Sequence, residues 1–260
     1  MSTIAARFAG LRPLLRKEFA EWRHGRRIYV IPAVMTLFMV LSAANSWIIA
    51  QIIANTPQGS PVPDAPVSLE PLQNLMAAVG SQIFVLAAIF ATMSLLVGER
   101  ERGTLAWVAS KPVSRGAIWA AKAIAGVAVV GLVAVAIPMA ITAAVVAVLY
   151  GVPALGAVLI VTAGMVVLAA LFVVVGLAVS TVVANQAAVA AIGFGAFVVP
   201  SLLVAIVPFD LQPYLPTSIL GWAAGVAVGA PVGVVTPIVW AISMAALAVV
   251  AIRRLELAEL

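Results

Sequence analysis

The residues of this 260-residue chain whose types and spacing could do chemistry lie in two short stretches. From Gly98 to Lys122 the sequence reads GERERGTLAWVASKPVSRGAIWAAK. Glu99, Arg100, Glu101 and Arg102 mark the end of an apolar run, Gly103 and Thr104 permit a turn, and Leu105, Trp107 and Val108 form an apolar stripe between charged ends. Lys111 and Pro112 break the chain, and Ser114, followed by Arg115, is placed to cap a helix that leads onward. A stripe of this kind suits docking, either on a protein groove or in lipid headgroups, and physics alone does not choose between them.

The second stretch is the N-terminal MSTIAARFAGLRPLLRKEFAEWRHGRR. Pro13 suits the first turn of a helix, and Leu15, Phe19 and Trp22 follow at spacings of four and three. The expected element is a basic amphipathic helix lying in the headgroup layer, with Trp22 at the interface, and the competing reading is an ordinary positive-inside flank.

Much other chemistry is missing. With no cysteine, disulfides, thiolate metal sites, iron-sulfur ligation and cysteine nucleophiles are excluded together. The one histidine, His24, sits among Arg23, Arg26 and Arg27 without an orienting partner or a nucleophile in sequence reach. No glycine precedes a lysine, so the phosphate-cradling GxxxxGK[ST] loop is absent, and GxSxG and HExxH are absent too. The expectation is a chain that is not itself an enzyme and carries no catalytic, cofactor-binding or metal residues.

The elements that position these stretches follow from composition. The chain is 65% hydrophobic and 9% charged, against about 25% charged in an average soluble domain. That excludes a soluble fold and predicts an all-α integral membrane protein, since spanning helices need about 20 residues each. Six spans are expected, near residues 28–54, 73–97, 118–149, 154–180, 187–207 and 234–252. Residues 55–72 carry five prolines and form an aqueous loop. Residues 208–233, broken by Pro208, Pro213, Pro216 and Pro231, are too short to cross twice and are expected to form a re-entrant hairpin. Gly221, Gly225, Gly229 and Gly233 would line one helical face there, the competing reading being a loose glycine-rich loop. No internal repeat stands out, and residues 1–260 are expected to form a single transmembrane domain.

Charge sets the orientation. Of the 14 Lys and Arg residues, seven lie in residues 1–27, five in 98–122 and two in 253–260. The opposite side carries only Asp64, Glu70 and Asp210, so the sides sum to +8 and −3. By the positive-inside rule both termini and the 98–122 segment are cytoplasmic. No ionisable residue is expected inside a span, except that Lys122 snorkels from the start of the third.

Polar residues within the spans are candidates for a translocation path: Asn45, Ser46 and Gln51 in the first, Gln82, Thr92 and Ser94 in the second, and Asn185 and Gln186 at the fifth. The competing role for each is interhelical hydrogen bonding. An uncharged lining favours an apolar or amphipathic cargo over a small ion.

The glutamate-rich exit, GTL, KPVSR and the lysine entering the next span resemble the cytoplasmic loop of ABC-2 type ABC transporter permeases. The amphipathic RKEFAEWR helix, the six spans and the proline-broken hairpin before the last span extend that resemblance over the whole chain. It implies that the loop, 98–117, docks on a separate ATPase subunit as a coupling helix, through Glu99, Arg100, Arg102, Gly103, Thr104, Leu105, Trp107, Val108, Pro112, Ser114 and Arg115. It also implies that two permease copies or paralogues form the path, that ATP and Mg bind the ATPase pair, that Asn185 and Gln186 make a smaller cytoplasmic contact, and that the chain is an exporter subunit in a prokaryotic plasma membrane. The YLPTSILGWAAG stretch from Tyr214 to Gly225 is similar both to bacterial drug, peptide or bacitracin-type exporters and to permeases for copper-enzyme maturation, and does not separate them. The competing expectation is a self-sufficient channel, carrier or membrane scaffold, which would have no ATPase partner.

Overall fold

The computed structural model describes residues 10–54, 70–80, 83–104 and 110–257. Every regular element among the described residues is helical. In chain order they are α1 (Leu11–His24), α2 (Arg27–Ala54), α3 (Pro71–Gly80), α4 (Ile83–Glu101), α5 (Arg115–Val130), α6 (Ile137–Leu149), α7 (Leu155–Ser180), α8 (Gln186–Ile206), α9 (Ile219–Ala227) and α10 (Val235–Leu257). Two 3-10 turns, Phe209–Tyr214 and Pro216–Ser218, lead into α9.

A backbone in hydrocarbon has no water to bond, so it must satisfy its polar groups within the helix. Among the described residues four stretches are long and apolar enough to cross a bilayer: Arg27–Asn45, Arg115–Leu149, Leu155–Ser180 and Val235–Glu256. A shorter apolar helix covers Gln186–Val199. The stretch expected as a second span is represented by α3 and α4, with residues 81–82 outside the described set.

α5 and α6 form one column through a π-helical stretch, Gly131–Ala136. Pro138, at the start of α6, explains the wider turn. It has no N–H to give to Ala134, and its ring would crowd that carbonyl in a regular α-helix.

α7 is the hub, packed against α4, α5, α8, α9 and α10. Small residues allow its close approaches. A Cβ on Gly164 would come within 2.4 Å of the Ala223 Cβ on α9, and one on Gly176 within 2.8 Å of the Thr92 hydroxyl on α4. Helices in lipid gain little from excluding water, so such backbone proximity supplies much of their association. The glycine spacing in 221–233 does not build an equivalent face. α9 ends at Ala227, Gly229 turns the chain with φ of +87°, and a Cβ on Gly221 would meet nothing within 4 Å.

α1 also departs from expectation. Its buried residues are Leu14, Glu18 and Trp22, packed toward α5, while Phe19 is 42% exposed. The helix is therefore rotated from the orientation that would present Leu15, Phe19 and Trp22 to headgroups. A glutamate in the middle of the buried stripe requires a cationic partner, and that partner is supplied by α5.

Candidate functional site

Where α1, α4 and α5 converge, five charged side chains interlock. Lys122, in the second turn of α5, places Nζ 2.9 Å from Glu18 Oε1 of α1 and 3.0 Å from Glu99 Oε1 of α4. Lys17 bonds Glu99 and lies 3.3 Å from Glu18 and 3.1 Å from Glu21. Glu18, Glu99 and Lys122 are all buried. Lys122 thus does not snorkel to the surface as its place near a span end suggested; its ammonium turns inward because two carboxylates from distant segments meet it there.

The arrangement is electrostatically tight. The carboxylates of Glu18, Glu21 and Glu99 approach within 4.8 Å of one another, and the two lysine ammonium groups already bridge them. Glu99 lies past the apolar part of α4. Burial pushes its pKa up, but the charge of Lys122 and the hydrogen bonds from Lys17 and Lys122 outweigh this and hold it below the usual carboxylate value. Burial likewise opposes the charge on Lys17, yet its hydrogen bond to Glu99 and the charges of Glu18 and Glu99 hold its pKa above the ordinary lysine value. Glu18 Oε2 and Glu99 Oε2 are buried and lack hydrogen-bond partners among the described residues. A network bonded on one side only is costly to disturb and has room to rearrange.

Arginines fasten the same end of the bundle to other helices. Arg100 donates to the carbonyls of Ser180 and Thr181 at 3.0 and 3.4 Å, closing the C-terminus of α7. Arg115 donates to Leu255 and Glu256 carbonyls at 3.0 and 2.8 Å, closing α10. Each sets a cation against the negative end of a helix dipole whose last carbonyls have no partners within the helix.

The remaining predicted residues fall as follows. Gly103 takes φ of +70°, ending α4, and the Thr104 hydroxyl donates to the Glu99 carbonyl at 3.2 Å. Arg102 is exposed and bonds the Gly98 carbonyl through Nε at 2.8 Å. Ser114 caps α5, its hydroxyl accepting from the Ala117 N–H at 3.1 Å. Pro112 lies in the exposed turn before that cap. Asn185 caps α8, and Gln186 donates to Glu101 at 2.6 Å, so the bend before α8 touches the end of α4. His24 Nδ1 stays within α1, 2.7 Å from the Ala20 carbonyl, on the exposed side.

Of the path candidates, Asn45 and Gln51 lie on the exposed side of α2. Thr92 is buried between α4 and α7 and donates to the Ala88 carbonyl at 2.7 Å. Gln82, Leu105, Trp107 and Val108, with the side chains of Ser46 and Ser94, lie outside the described residues. Within the site, the sequence pattern does not single out Lys17 or Glu18 as functional candidates. The signal was present in one respect: an acidic residue sits four residues before Trp22 and four after Leu14, on the stripe a buried helix face would use.

No curated protein matches the chain. A family model described as ABC-2 family transporter protein matches residues 12–222. That span holds α1 to α8 and the start of α9, including the whole ion-pair junction and the loop beyond α4. With its long apolar helices, the chain is a multi-pass membrane protein, and it belongs to the ABC-2 family of ABC transporter permeases.

Proposed function

We propose that this permease exports an apolar or amphipathic substrate, driven by ATP hydrolysis on a separate ATPase subunit that holds ATP and Mg, with no cofactor on this chain. Six spans cross a prokaryotic plasma membrane as one domain, with 1–27, both termini and 98–117 cytoplasmic and 208–233 a re-entrant hairpin on the outer side. Two copies, or a copy and a paralogue, enclose the path, toward which Asn45 and Gln51 on the exposed side of α2 are directed. Residues 98–117 dock on the ATPase as its coupling element.

The observation that carries this proposal is the junction of Lys122 with Glu18 and Glu99. It ties the root of the 98–117 loop to both the amphipathic helix and the next span. A force on the loop is then shared by α1, α4 and α5 at once, because breaking one ion pair alone strands a buried charge.

Affinity purification of the full chain from its native cells, followed by ATPase assay in proteoliposomes, tests the proposal. A Walker-motif ATPase should co-purify in stoichiometric amount, and hydrolysis should require both chains. A monomer that moves substrate without nucleotide would overturn it in favour of a self-sufficient carrier.

A further inference from the structure

Arg27, the first residue of α2, lines two cavities. One is a groove of about 300 Å³ between α2 and α4 with Val30, Val34, Met35, Ala87, Phe90 and Met93 on its walls. Among the described residues Arg27 is its only charged lining residue. The other is a polar pocket of about 440 Å³ that includes Trp22, His24, Glu99 and Arg102. Arg27 donates through Nη1 to the Ala91 carbonyl at 3.1 Å, which fixes the guanidinium at the boundary between the two.

We infer that this pair of cavities binds one anionic phospholipid, its acyl chain in the α2–α4 groove and its phosphate at Arg27 and Arg102. Charge decides the headgroup. The pocket's carboxylates, Glu18, Glu21 and Glu99, are already met by Lys17 and Lys122. Arg27 and Arg102 form no ion pair among the described residues and bond only backbone carbonyls. They are the cations left over, and a guanidinium offers a forked pair of donors to phosphate.

Geometry decides the tail. The groove belongs to Arg27–Asn45, a stretch apolar enough to cross a bilayer, where the surrounding medium is hydrocarbon. Phe90 and Val30 remain more than half exposed there, so no helix among the described residues covers the groove. A free anion would gain nothing from those walls, and a zwitterionic lipid brings to the arginines a phosphate whose charge its own ammonium offsets, so a net-anionic lipid is favoured. Basic residues at a membrane surface attract anionic lipid. This inference needs only that α2 enters a bilayer and is independent of coupling to an ATPase.

The test is native mass spectrometry of the full chain in detergent with equimolar phosphatidylglycerol and phosphatidylcholine. The wild type should retain one phosphatidylglycerol per chain with a preference of about tenfold, as one charge-assisted hydrogen bond would give. Arg27→Gln and Arg102→Gln should each lower that preference, Arg27→Lys should keep part of it, and Val34→Trp should reduce retention of both lipids by filling the groove. A thermal melt of each variant verifies folding. Equal retention of the two lipids by the wild type would overturn the inference. So would an equal loss of preference in Arg253→Gln, a residue that lines neither cavity, which would mark a diffuse basic surface. Displacement by millimolar inorganic phosphate would make it a free-anion site, and loss of lipid on dimerisation would make the groove a protein interface; either result overturns the lipid assignment.

Discussion

Lys122 Nζ and Glu18 Oε1 lie 2.9 Å apart although 104 residues separate them in the chain, and both side chains are almost wholly buried. The contact joins the amphipathic N-terminal helix to a membrane-spanning helix through charge rather than through apolar packing alone. Its consequence is asymmetric. Removing one partner costs more than the pair itself contributes, because the other is left charged and buried.

Lys122→Met should therefore destabilise the chain by roughly 3–5 kcal/mol, read as a loss of melting temperature in detergent. Adding Glu18→Gln to that variant should recover part of the loss, since one of the two carboxylates that lost Lys122 is gone. Additive losses in the double variant would show that the two groups are not coupled in solution.

The same network sets a pH profile. The Glu99 pKa is lowered by folding from an ordinary value of 4.5, so its contribution is full above that value and is lost as pH falls through the lower folded pKa. The Lys17 pKa is raised above 10.5, so its contribution is full below 10.5 and is lost only as pH rises beyond it. Melting temperature should be level between these limits as far as these two groups contribute. Glu99→Gln should flatten the acid side and also weaken the alkaline side, because Glu99 supplies much of what raises the Lys17 pKa, whereas Lys17→Met should flatten the alkaline side.

Trp107→Ala and Arg115→Glu should behave differently, although both lie in the proposed coupling segment. Trp107→Ala should weaken ATPase retention by at least about 2 kcal/mol, as loss of a buried aromatic anchor does, while the melting temperature holds. Arg115 closes the end of α10, so Arg115→Glu should lower stability by roughly 1–3 kcal/mol whether or not the ATPase is present. Phe19→Ala, at an exposed position on α1, is the control; Trp22 is unsuited to that role because it is 5% exposed and packed inside. Wild-type ATPase binding and transport in Trp107→Ala would refute the coupling assignment.

Orientation is accessible to labelling because the chain has no cysteine. Ser60→Cys should react with a membrane-impermeant maleimide from outside, and Lys111→Cys only after the membrane is opened. Reversed reactivity would invert the proposed threading.

Sequence alone determined the helical membrane class, the approximate extent of the long helices and the loop turn at Gly103 and Thr104. It also placed the helix cap at Ser114. These features are local: an apolar run must form helix in lipid, and a capping side chain reaches N–H groups only two or three residues ahead. Tertiary structure decided which face of α1 is buried. Leu15, Phe19 and Trp22 make a fair apolar stripe, but the pull of Lys122 and Glu99 on the Glu18 and Lys17 pair turns Leu14, Glu18 and Trp22 inward instead. It also decided that Arg100 and Arg115, which read as loop charges, close the ends of α7 and α10. No local pattern encodes such pairings, because each partner's position is set by how the intervening helices pack, and a charge near a span end is equally consistent in sequence with water, headgroup or a buried counter-ion.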